Sequence, residues 1–88
     1  VADDIIRDKI CAEVVKLLVA ERKRQKTSGN SLAEKSGLSQ SLISTLETKQ
    51  WNPTLKTLLR IGEALHIDVG AIISKAQRRI LKKPTEPK

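Results

Sequence analysis

The chain has 88 residues, with 17 Lys and Arg against 10 Asp and Glu and a formal charge of +7. It is long enough for one modest core, burying roughly 60 to 65% of its unfolded surface, and its charge favours an anionic partner without naming one. The lone Cys11 excludes an internal disulfide and a cysteine-rich zinc site and fits a cytoplasmic protein. The chain begins at Val1, shows no signal-peptide pattern, and has no apolar run near the roughly 18 residues of a membrane span.

From Asp4 to about Lys26, Ile6, Ile10, Val14, Leu17 and Leu18 recur at three- and four-residue steps, which predicts a long amphipathic helix. Asp3, Asp4 and Asp8 suit its positive end, and Arg22, Lys23, Arg24 and Lys26 its negative end. That basic cluster reads either as a solvated helix end or as a patch facing phosphates. Ser28, Gly29 and Asn30 then offer a polar cap for a short second helix through Leu32, Ala33 and Lys35. Gly37 marks a sharp turn, because a residue without Cβ enters the left-handed conformation at little cost.

Ser39 can cap a third helix in which Leu42, Ile43 and Leu46 point inward. Gln40, Ser41, Ser44, Thr45 and Thr48 are left outside. These side chains are short or carry an amide, so they suit a DNA major groove about 12 Å wide. A fourth helix is predicted from Asn52-Pro53, with Asn as cap, Pro at the first helical position, and Leu55, Leu58, Leu59, Ile61 and Leu65 on its buried face. Asp68 can cap a fifth, with Val69, Ile72, Ile73, Ala76 and Ile80 as its apolar face. The segment 82–88, KKPTEPK, combines two prolines with charge and predicts a flexible basic tail after a single domain over 1–81.

The run SLAEKSGLSQSLISTLE, followed by WNPTLKTLLRIGEALHI and DVGAII, resembles the helix-turn-helix family of phage repressors, Cro-like proteins and bacterial XRE-type regulators. The resemblance covers most of Leu17 to Ile73. It is carried by Leu32-Ala33, Gly37, Ile43, Leu46-Glu47, Asn52-Pro53 and the leucine-rich fourth helix. It implies an all-α, five-helix repressor-like bundle whose first helix starts about three turns early. It further implies a salt bridge between Arg22 and Glu47, and it places Gln40 and Ser41 at the groove-facing end of the recognition helix, with Ser44 and Thr45 one turn later. The chain departs from the family pattern at Gly29, where a phosphate-binding Gln is frequent, at Thr27, usually apolar, and at Lys49, often Gly.

The chemistry of Gln40 stands apart from the resemblance: its amide can donate and accept at once across adenine N6 and N7. Phosphate contacts are expected at the N-terminal ends of the second and fourth helices, from Asn30 and Asn52, with Lys35, Lys49 and Gln50 nearby. The single ring of Trp51 fits packing across a loop, or an indole N–H on a phosphate, better than single-strand stacking. No motif joins a nucleophile to the sole histidine, His66, or cradles a cofactor, so neither an enzyme, a metal site nor a cofactor is expected.

Ile5, Ile6 and Ile10 at one end, and Ile72, Ile73, Ala76 and Ile80 at the other, are surplus apolar positions. They either pack within one chain or form a two-fold interface; an interface including the fifth helix is the favoured expectation. The resulting expectation is a sequence-specific regulator of double-stranded DNA, a repressor by resemblance, acting as a homodimer on a palindrome. The alternative is an antitoxin-like adaptor that binds a toxin and also binds DNA.

Overall fold

A computed structural model of the chain describes residues 2–48 and 53–81, with side chains from Asp4 onward. Five helices follow in order: α1 Ala2–Arg24, α2 Gly29–Ser36, α3 Gln40–Thr48, α4 Leu55–Leu65 and α5 Val69–Leu81. The described residues contain no strand. Positions expected in Lys49, Gln50, Trp51, Asn52 and the tail 82–88 lie outside the described residues.

One core joins all five helices: Val14, Val15 and Leu18 meet Leu32, Ala33, Ile43, Leu46, Ile61, Leu65 and Ala76. Val15 was not part of the expected α1 stripe. It is buried because α1 is gripped on two sides, by α5 on one and by the end of α3 on the other. α5 runs back antiparallel along α1, bringing Arg79 Nε within 3.2 Å of Glu13 Oε2. That contact is charge pairing without an aligned hydrogen bond, since Glu13 Oε2 is buried and accepts none.

The antiparallel packing uses part of the expected interface within the chain. Ala76 is fully buried at 0% exposure, which removes it from any partner-facing surface, and Ile10, Ile72 and Ile73 pack half-buried against the core. Ile80 is half-buried. Ile5 and Ile6 remain outside, at 55% and 38% exposure.

The fourth helix also departs from expectation. It begins at Leu55 with Thr54 as cap, not at Asn52-Pro53: the Thr54 hydroxyl accepts from the Thr57 amide at 3.1 Å. Thr54 is extended at φ −72° and ψ 162°, so Pro53 stands before the helix. Leu58, Ile61 and Leu65 face inward as expected, but Leu55 and Leu59 lie on the outer edge, exposed by 62% and 49%. Thr57 takes a buried place instead and shares a hydrogen bond with Thr54.

Three helices end in the same way. After α1, α2 and α4 the chain enters the left-handed region at Lys26, Gly37 and His66, with φ of 57°, 74° and 58°. Each turn carries the paired backbone bonds that satisfy the last carbonyls. Lys26 N–H donates to Lys23 O and Thr27 N–H to Arg22 O. Gly37 and Leu38 do the same for α2, and His66 and Ile67 for α4.

Candidate nucleic-acid interface

The candidate surface is built on α3. Ser39 starts it, its hydroxyl accepting from the Leu42 amide at 3.0 Å. Ile43 and Leu46, at 2% and 3% exposure, anchor one side of the helix in the core. A helix held at two positions one turn apart cannot roll, so the opposite side is fixed as well. That side carries Gln40, Ser41, Ser44, Thr45 and Thr48, all exposed. The Thr48 hydroxyl turns back to donate to the Ser44 backbone O at 2.7 Å, leaving the side chains of Gln40, Ser41, Ser44 and Thr45 as the outward polar groups nearest the N-terminal end.

Arg22 locks the other end of α3. Its Nε donates to Glu47 Oε2 at 2.7 Å and its Nη2 to Glu47 Oε1 at 2.8 Å, a bidentate fork that fixes both distance and plane. Its Nη1 donates to Thr27 O at 2.9 Å. One guanidinium therefore joins the end of α1, the loop before α2 and the end of α3. Thr27, a departure from the family pattern, is held by its backbone rather than by an apolar side chain. Of the basic cluster, Arg22 is thus turned inward, Arg24 pairs with Glu21, and Lys23 and Lys26 are exposed.

Of the expected phosphate-binding residues, the two that are described, Asn30 and Lys35, stand apart. Asn30 is exposed in the first turn of α2, behind the Ser28 cap whose hydroxyl accepts from Ser31 N–H at 3.0 Å. A helix N-terminus with exposed polar side chains suits an anion. Lys35 stands at the far end of α2 instead. It lines a recess with Gly37, Lys56, Leu59 and Arg60, away from Asn30. Lys49, Gln50 and Asn52 belong to the undescribed stretch.

Two residues that support this surface were not foreseen. Gln25 Nε2 donates to Leu65 O at 2.7 Å and to Glu21 Oε2 at 2.8 Å, tying the end of α1 to the last turn of α4. The Glu21 carboxyl is held down from an ordinary 4.5 to about 2, first by the Arg24 hydrogen bond and then by Gln25. Arg60 Nη1 reaches Ser36 O at 3.4 Å, across the turn between α2 and α3. Neither contact has a local signature, because each joins residues far apart in the chain. His66 serves as the left-handed cap of α4, Cys11 is half-buried, and no group of three metal-ligating side chains occurs among the described residues. Among the described residues, no helix is long and apolar enough to cross a membrane.

Two helices joined at a left-handed glycine, the second presenting a polar face and braced from behind, define a helix-turn-helix module. The helix-turn-helix family model matches residues 18–72, more than half of the chain. The chain belongs to that family, in its phage-repressor and XRE-type branch. The immunity repressor protein of Bacillus phage phi105 is 41% identical over 56 residues, which cover 64% of this chain and 39% of the relative. The chain thus spans well under half the length of that relative. No solved structure matches it.

Proposed function

We propose that this chain is a sequence-specific DNA-binding repressor of transcription, acting in the cytoplasm as a dimer on a palindromic operator. The observation that carries the reading is the braced polar face of α3: Gln40, Ser41, Ser44 and Thr45 are exposed on a helix whose roll is set by Ile43 and Leu46 and whose far end is held by Arg22. In this reading Gln40 reads a base edge, with Ser41, Ser44 and Thr45 beside it. Asn30 and the first turn of α2 set the register on the phosphates, together with Lys49, Gln50 and Asn52. The net charge of +7 supplies attraction to the duplex but no sequence preference. Mechanism is occupancy: a bound promoter is closed to polymerase. The likeness to a phage immunity repressor supports repression over activation.

Selection from a random double-stranded DNA library at near-physiological ionic strength tests the reading, since low salt lets charge alone bind DNA. An enriched palindrome is the expected result. Recovery of unselected sequence by folded protein would overturn it.

A further inference from the structure

We propose that the outer face of α1 from Ile5 to Val19 is a self-docking surface, on which a second copy of this chain lays its own α1 antiparallel. The proposal rests on the dimeric reading above and gives it a surface. Ile5, Asp8, Ala12, Lys16 and Val19 follow at three- and four-residue steps and so share one side of the helix. This is not the side that faces α5. Asp8, Ala12 and Lys16 are exposed, Ile5 is 55% exposed, and Val19 is half-buried. An open groove of about 710 Å³ follows the same side, flanked by Leu46 and Glu47 of α3 and by Ile80 of α5.

The face is complementary to itself. In a pair related by a two-fold axis through Ala12, each residue meets the one equally far beyond Ala12 on the other copy, as an isologous contact requires. Ile5 then meets Val19 of the second copy, and Asp8 meets Lys16 of the second copy. The small Ala12 lies on its own equivalent, where a larger side chain would hold the helices apart. A parallel pair would set Asp8 on Asp8 and Lys16 on Lys16, so the charges choose the antiparallel arrangement. Most of this face precedes residue 18, where the family match begins, and is an addition to the helix-turn-helix module. Its isoleucine stands more than half exposed within the chain, apolar surface that docking would cover.

Sedimentation equilibrium on the full chain over a concentration series tests this. The wild type should dimerise reversibly. Asp8→Lys and Lys16→Asp should each weaken the dimer about tenfold or more, because the two-fold axis doubles every like-charge contact. The double variant should restore it, a rescue that no loss of folding can imitate. In a Cys11→Ser background, Ala12→Cys should cross-link across the axis on mild oxidation. A monomer at every concentration, or single variants that dimerise as the wild type does, would overturn the proposal. The DNA reading fails separately: a swap-sensitive dimer that selects no duplex keeps this surface and removes that function, while a palindrome bound by a swap-insensitive dimer does the reverse.

Discussion

Arg22 and Glu47, 25 residues apart, meet in a two-pronged hydrogen-bonded ion pair at 2.7 and 2.8 Å, with side chains only 14% and 18% exposed. The pair belongs between two regimes: exposed ion pairs contribute under about 1 kcal/mol, while removing one partner of a buried pair costs roughly 3 to 5. Glu47→Ala should therefore cost about 2 kcal/mol in urea unfolding, since it leaves a guanidinium with one backbone partner, Thr27 O. Arg22→Lys should cost more than half as much, because an ammonium cannot form the fork. Equal stability of Arg22→Lys and the wild type would show that charge alone matters there.

Gln40 and Asn30 should separate by the kind of loss they cause. Gln40→Ala should cost about 1 to 3 kcal/mol at one base pair and flatten preference there, as removal of a bidentate base contact does. Asn30→Ala should weaken binding to all duplexes alike, because a phosphate contact carries no sequence. Titrations of each variant against single-base operator substitutions distinguish the two. A Gln40→Ala protein that keeps its full base preference would remove Gln40 from the reading face.

Local chemistry made the module legible where a single residue type admits one solution. Gly37 had to turn left-handed, Ser39 had to cap, and Ile43 with Leu46 left the polar side of α3 outside. Legibility ended where two solutions were equal. Asn52 and Thr54 are both good caps, and the choice fell to Thr54, whose hydroxyl also meets Thr57. The leucines of α4 had the right period but no sign of which edge would meet α2, so Leu55 and Leu59 were misplaced inward. Ala76 carries the same apolar signal whether it meets a partner or its own chain, and the packing of α5 along α1 decides for the latter. Gln25, bound to a carbonyl 40 residues away, could be found only in three dimensions.

The two left-handed non-glycine positions among the described residues hold strain that can be relieved. Lys26 and His66 sit at φ 57° and 58°, a region where a Cβ meets the following carbonyl at a cost of roughly 1 to 2 kcal/mol. Lys26→Gly and His66→Gly should each raise stability by about 1 kcal/mol, part of the relief being offset by the greater freedom of glycine in the unfolded chain. The two sites lie in separate turns, so the gains should add. Thermal melts of the singles and the double check this; a lower midpoint for either single would mean that its side chain makes a contact worth more than the strain.

Glu21 should make the folded chain sensitive to acid through a window its pKa defines. Its carboxyl titrates near 4.5 when unconstrained and at about 2 in the fold, where Arg24 and then Gln25 donate to it. A depressed folded pKa means that the unfolded chain takes up the proton first. The stabilisation is therefore complete above 4.5, declines as pH falls, and is gone once the folded carboxyl is protonated near 2. Glu21→Gln removes this titration, so its stability should fall less steeply than that of the wild type between pH 4.5 and about 2, and the two should converge at the acid end. Urea midpoints measured across that range decide the matter. Parallel curves would mean that the bonds from Arg24 and Gln25 do not persist in solution and that the join between α1 and α4 depends on the Gln25 bond to Leu65 O alone.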